Sequence, residues 1–394
     1  MGNFLIGASL SLVVPFMALY VEELGLKGSA VDWYAGLAVS SSSMTAALIS
    51  PLWGQLADRY GRKPMMIRAA LAMTFTMGGL AFVPNVYLLL VLRLLNGIFS
   101  GYVPNSTALI ASQAPKKYSG YALGTLSTGV VAGTLLGPFL GGMVAQTLGI
   151  RNVFLLVGFL LFLLTLLTIF GIQENFEPLT KGQELSSRQL WQALPHKSMI
   201  IGLFVTSMVI QMVGQSISPI LTLYIRALGQ KDHLILVSGL IVSAMGFSSI
   251  LSSSWMGRLG DRIGSHRLLL IALFYSFLIY LLCARATSPW DLGFLRFLFG
   301  LGTGALLPGV SSLLNKLIPK EGISRIFSYN QTFFYIGGVL GPLMGSSISV
   351  SWGYSWVFYG TAGLVLLNFI ILLISFRKYL GVKEISAGKN QFNM

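Results

Sequence analysis

Apolar residues dominate this chain in runs of about twenty, separated by short polar, charged or glycine-bearing segments. A helix that crosses a bilayer needs about 20 predominantly apolar residues, so each run reads as a span. The pattern predicts spans at 3–21, 33–55, 65–83, 87–111, 119–144 and 152–172. Six more follow at 199–223, 234–256, 268–286, 290–314, 325–348 and 355–376. The only long polar segment, 173–198, separates them. The expectation is an all-α integral membrane protein of twelve transmembrane helices. It divides into a six-helix bundle over 1–172, a cytoplasmic linker at 173–198, a second bundle over 199–376 and a tail at 377–394.

The two halves repeat one another. Gly54 to Pro64 reads GQLADRYGRKP, and Gly257 to Arg267 reads GRLGDRIGSHR, 203 residues further on. Both fit a short charged hairpin between two helices at a membrane surface. Gly61 and Gly264 permit a sharp turn, and Gly54 and Gly257 are expected to let helices approach closely. Asp58 and Asp261 are placed to pair with neighbouring bases or to accept hydrogen bonds at a helix N-terminus. A competing reading is that Arg59, Arg62 and Lys63 only set topology; recurrence of the Gly and Asp spacing counts against it. Pro15, Tyr20 and Gly25 recur as Pro219, Tyr224 and Gly229. Arg93, Gly97 and Gly101 recur as Arg296, Gly300 and Gly304. Gly133, Gly137, Pro138 and Gly141 recur as Gly337, Gly341, Pro342 and Gly345. Motifs in one order at one offset indicate a duplicated unit, and parallel repeats of this kind put a binding site near the midplane between them.

Composition changes the picture in one respect. Only 10% of residues are charged, against roughly 25% in soluble domains, yet net charge is +14. In a soluble protein that excess suggests nucleic acid. Here nineteen of the 26 Lys and Arg fall on one side of the predicted topology and five on the other. The positive-inside rule then puts both termini in the cytoplasm and excludes a nucleic-acid partner. The lone Cys283 and three scattered His residues offer neither a disulfide framework nor a metal cluster. No nucleophile–base pair or phosphate loop suggests an enzyme or a cofactor. Residues 1–20 lack the basic stretch of a signal peptide, so 3–21 reads as a first span, with a missing leader the alternative.

The repeated hairpin, the fourth-span Arg and the GP pattern of the fifth span together resemble the major facilitator superfamily. The likeness covers nearly the whole chain. It is closest to that superfamily's twelve-helix drug:proton antiporters, in their quinolone-exporting branch. It implies the major facilitator fold: two pseudo-symmetric six-helix bundles, working as a monomer in the cell membrane. It also implies that Asp58, with Arg62 and Lys63, latches the cytoplasmic side, and that Arg93 points into the core and assists proton movement. The competing role for Arg93 is structural, bonded to backbone carbonyls. Gly129, Gly133, Gly137 and Gly141 stand four apart on one helix face, beside Pro138 and Gly142. Close helix packing accounts for such a face. The resemblance adds that it lies between the halves and seals against leak.

None of the twelve acids falls at mid-span. The neutral Asn105, Gln211, Gln215, Asn330, Gln331 and Tyr335 are candidate substrate contacts, with Phe16, Tyr20, Tyr224 and Phe334 as an apolar wall. Each aromatic also suits plain helix packing. The reading that follows is exchange of protons for amphipathic neutral or zwitterionic drugs. An exporter of a metabolite such as a sugar or peptide is the alternative, and a non-transporting receptor or scaffold is a third.

Overall fold

Inside a bilayer no water is available to backbone N–H and C=O groups, so each must pair within its own segment. The described residues obey this almost throughout. The computed structural model describes residues 1–113, 119–174, 197–317 and 323–391, so most of the expected linker lies outside them. The side chains of Asp58 and Asp261 also lie outside the described set.

The first half contains α1 (Gly2–Ser11), α2 (Met17–Glu23), α3 (Ser29–Tyr60), α4 (Arg62–Gly79), α5 (Val86–Ile98), α6 (Tyr102–Gln113), α7 (Ser119–Leu148) and α8 (Ile150–Gly171). The second contains α9 (Lys197–Ser216), α10 (Leu221–Ala227), α11 (Leu234–Ile263), α12 (Ser265–Cys283), α13 (Pro289–Thr303), α14 (Leu306–Leu317), α15 (Ile323–Trp352) and α16 (Tyr354–Gln391). Eleven stretches among the described residues are long and apolar enough to cross a membrane. The expected second span is not among them, but its helix α3, at 32 residues, is long enough. The expected tail is not a separate element: α16 runs unbroken to Gln391.

The repeat governs local structure. The first span of each half breaks at a proline, Pro15 or Pro219, which starts a single 3-10 turn. The hairpin glycines Gly61 and Gly264 have φ of +97° and +91°, as the turn expectation requires. The caps of α5 and α13 also correspond: the Asn85 and Ser288 side chains each accept from a backbone N–H three residues on.

Each half has its own buried apolar cluster. Large side chains on the perimeter instead face outward, Phe75 at 71% exposure and Phe170 at 81%, as a lipid-facing surface demands. The halves meet through two helix pairs, α3 with α15 and α7 with α11. Between them Ser40 Oγ donates to the Val339 carbonyl at 2.8 Å. Toward the end opposite the charged hairpins, buried Thr222 Oγ1 donates to the Pro15 carbonyl at 2.7 Å.

Candidate functional site

The charged hairpin is held differently from the expectation. Among the described residues nothing lies within 4 Å of where a side chain would start on Gly54 or Gly257, so no close helix approach is seen at either. Both are exposed. Asp58 and Asp261 lie in the last turns of those helices. The N-terminus of α4 is capped by Glu174, which sequence reasoning left among the linker acids. Its Oε1 accepts from the Arg62 backbone N–H at 2.8 Å and its Oε2 from Lys63 N–H at 2.7 Å. Lys63 Nζ donates to the Ile169 carbonyl at 2.9 Å. Carboxylate at a helix N-terminus is the favourable placement, and it ties the hairpin to the end of the sixth span.

Arg68 was also missed. Its guanidinium lies 3.3 Å from the centre of the Trp53 ring, and Nη2 donates to the Ser100 carbonyl at 3.2 Å. Trp53 Nε1 donates to the Ile98 carbonyl at 2.7 Å. The pair thus holds the break between α5 and α6, where Gly101 has φ of +125°.

Arg93 and Arg296 are both 4% exposed. Among the described residues neither guanidinium bonds a backbone carbonyl. Arg93 Nη2 points at Met17 Sδ, 3.9 Å away, and Arg296 Nη1 at Met245 Sδ, 3.7 Å away. The Nε of each has no hydrogen-bond partner among the described residues. Two buried guanidiniums thus stand at equivalent positions facing thioethers rather than acids.

One turn along α5 from Arg93 begins a cavity of about 220 Å³. Ser42, Ser43, Asn96 and Ser100 line it from the first half, and Tyr335 reaches in from the second. Its counterpart, about 160 Å³, lies in the second half. There Met245, Phe299 and Thr303 occupy the positions of Ser42, Asn96 and Ser100, so matching positions carry different groups in the two cavities. No carboxylate lines either.

Of the expected substrate contacts, Tyr335 lines the first cavity and Gln211 the second. Gln215 packs where α9 meets Gly341. Asn330, Gln331 and Phe334 share α15 with Tyr335 but line neither cavity. Asn105 is buried and donates to the Gly101 carbonyl at 2.8 Å, which fastens the start of α6. The apolar wall is not a wall. Tyr20 is fully buried, bonded to the Leu80 carbonyl and stacked near Phe154. Tyr224 is buried against Tyr354 and Phe358, and Phe16 is wholly enclosed. These aromatics bury large apolar area and serve the far-end packing.

The glycine face of α7 packs within its own half. A Cβ on Gly133 would overlap the Phe4 carbonyl oxygen, and one on Gly141 that of Leu12. The equivalent Gly337 and Gly345 meet Met208 and Ser216 carbonyls on α9 in the same way. The expectation that this face lies between the halves is therefore corrected. The between-halves contact belongs to the neighbouring face, where the Pro138 carbonyl abuts Gly239, and a Cβ on Gly142 would sit 3.1 Å from the Ile235 carbonyl.

At the end opposite the hairpins the halves are joined by charge. Arg226 grips Glu22 with two bonds, Nη2 to Oε1 at 2.6 Å and Nη1 to Oε2 at 2.9 Å. Beside this pair Asp32, only 6% exposed, accepts from Ser349 Oγ at 3.1 Å and from Tyr354 OH at 3.5 Å. The first half supplies both acids and the second supplies every partner.

Comparison with known proteins agrees with this architecture. The Major Facilitator Superfamily matches residues 1–237 and again 203–391. The chain is 61% identical over 384 residues to the multi-drug resistance efflux pump PmrA of Streptococcus pneumoniae, covering 98% of this chain and 96% of that one. It is 46% identical over 380 residues to the multidrug resistance protein MdtG of Klebsiella pneumoniae, covering 96% and 92%. Among solved structures, a bacterial homolog of the human lysosomal transporter Spinster, inward-facing and occupied, superposes with a TM-score of 0.79 at 14% identity, covering 96% of each chain. The nucleoside transporter NupG gives 0.79 at 14%, covering 95% and 98%.

Proposed function

The chain belongs to the major facilitator superfamily, a family of membrane transporters, and from that premise we propose that it exports amphipathic drugs in exchange for protons. The drugs are neutral or zwitterionic, of the fluoroquinolone type. The protein works as a monomer in the plasma membrane by alternating access, with both termini and the charged hairpins in the cytoplasm. The far end is then the outer side, and its closure describes a protein open toward the cytoplasm.

The cavity of the first half, which Tyr335 of the second also lines, carries the substrate reading. Its lining is uncharged and mainly apolar, with Ser42, Ser43, Asn96 and Ser100 as polar groups and a tyrosine from the opposite half, and a buried guanidinium lies one turn away. An organic cation entering such a low-dielectric space needs a carboxylate to offset its lost hydration. None lines it, whereas a zwitterion's carboxylate would meet the hydroxyls of Ser42, Ser43 and Ser100 and the Asn96 amide, with Arg93 one turn off. The names of the relatives support drug export over export of a metabolite.

Inverted vesicles test this directly. Under an imposed proton gradient, a zwitterionic fluoroquinolone is expected to accumulate faster than a permanent hydrophobic dication, and collapse of the gradient should stop both. Equal or faster transport of the dication would overturn the charge assignment. Transport indifferent to the gradient would overturn proton coupling.

The cytoplasmic latch gives a second expectation. Asp58 recurs as Asp261 and stands among Arg59, Arg62 and Lys63. Asp58→Asn should lower export by about tenfold or more, the loss of at least one charged interaction, while insertion and folding persist. Asp261→Asn should be milder. Export by well-expressed Asp58→Asn protein at the wild-type rate would remove the latch.

A further inference from the structure

The outer gate contains an acid that export, as described so far, does not use. Asp32 is buried at the junction of four elements, and the groups that face it are few. On its own half there is Glu22 of α2; from the other half come Arg226 of α10, Ser349 of α15 and Tyr354 of α16. Arg226 is the only base among them, and Glu22 already engages it with both carboxylate oxygens. Two acids therefore share one cation. One is paired and half-buried at the rim; the other is sealed beneath it with two hydroxyl donors.

We propose that Asp32 is a proton site that couples external pH to closure of the outer gate. The inference rests on the orientation given above, in which this end faces outside. With the gate closed, burial disfavours the bare carboxylate, and the charge of Glu22 disfavours it further. Asp32 lies one residue before the predicted 33–55 span, and its pKa is raised from the usual aspartate value by that burial, against the lowering effects of Ser349, Tyr354 and the Arg226 charge. When the halves part at this end, every second-half partner leaves and water replaces them, so the group returns toward an ordinary value near ~4.

The sign of the linkage follows. A group that binds its proton more tightly in the closed form favours closure on protonation. That contribution is fully present below the open-gate pKa and is lost as pH rises through the closed-gate one. In the transport cycle this is the useful direction. After drug leaves to the outside, a proton taken from outside by Asp32 lets the gate shut over a neutral carboxyl.

The test reads the gate itself, without drug and without a gradient. Spin labels at the exposed outer-loop positions Lys27 and Lys231, in a Cys283→Ala background, report the distance between halves in lipid nanodiscs. Between about pH 9 and about pH 5, a range that brackets a raised carboxyl pKa, the short-distance population is expected to grow as pH falls. Asp32→Asn, a permanently neutral mimic, should hold that population high and flat. Ser349→Ala with Tyr354→Phe keeps Asp32 but removes donors to its ionised form, so the midpoint should rise by on the order of one pH unit. Glu22→Gln frees Arg226 for Asp32 and should lower it. A gate that ignores pH, or an Asp32→Asn protein that titrates like wild type, overturns the proposal. Should Asp32→Asn fail to fold, an unmoved midpoint in the double variant overturns it equally. Proton-driven export alongside an unmoved gate titration would sink this inference alone. A titrating gate in a protein whose export ignores the gradient would sink the coupling reading alone.

Discussion

Arg93→Met is expected to fold and insert as well as the wild type yet export at a tenth of its rate or less, about 1.4 kcal/mol of lost function. The two outcomes separate because of what surrounds the guanidinium. It is 4% exposed, faces Met17 Sδ and leaves its Nε without a partner among the described residues. Removing one member of a buried ion pair strands the other, but among the described residues no acid pairs with Arg93. A charge deep in a span costs roughly 2.5–3.5 kcal/mol on insertion scales, and methionine removes that cost while filling similar space. The Ser42 hydroxyl bond to the Arg93 carbonyl, 2.8 Å, involves backbone and survives any side chain. Arg93→Lys keeps the charge but loses the planar fork and should fall between. Melting of purified protein and export per molecule in vesicles are the two readouts. Reduced melting with unchanged export per molecule would make Arg93 structural.

Gly345→Val should have the largest effect on stability. A Cβ there would overlap the Ser216 carbonyl oxygen, so α9 and α15 must separate along their length. Overpacking of a well-filled contact costs up to about 3 kcal/mol, and a rigid backbone oxygen leaves little room for relief. Gly141→Val should behave alike, since its Cβ meets the Leu12 carbonyl. Gly54→Ala is the control: open space surrounds it, and its melting temperature should not move. A Gly345→Val protein that expresses and melts like wild type would show that this helix contact is looser than drawn.

The duplicated architecture was legible because each of its signals is local. Runs of apolar residues mark spans, a glycine between charges marks a turn, and four motifs recurring in order 203 or 204 positions on mark two copies. Even the four-apart glycines announce a close contact. What they cannot announce is the partner: a face of small residues fits α1 as readily as the opposite half, and the structure chooses α1. Tyr20 and Tyr224 failed for a related reason. An aromatic with a hydroxyl suits a wet cavity and a dry core equally, and only the carbonyl of Leu80, sixty residues away, settles Tyr20 in the core. Glu174 and Arg68 left no short-range trace, since their partners lie on other helices. The cavity's polarity was half legible: the absence of mid-span acids was plain, but not that Ser42 and Asn96, rather than the amides of α9 and α15, would line it.

Glu22 and Arg226 are 204 positions apart, the same offset that relates Tyr20 to Tyr224. They are therefore one position seen twice, and two copies of one position can touch only if they straddle the axis relating the halves. In a true dimer of identical half-chains, a residue beside the two-fold meets its own duplicate. That dimer would set glutamate against glutamate or arginine against arginine at this seam. A bond between opposite charges at this spot is open only to copies joined in one chain and free to differ. The seam that closes the end opposite the hairpins is thus also the place where the two halves can no longer be exchanged.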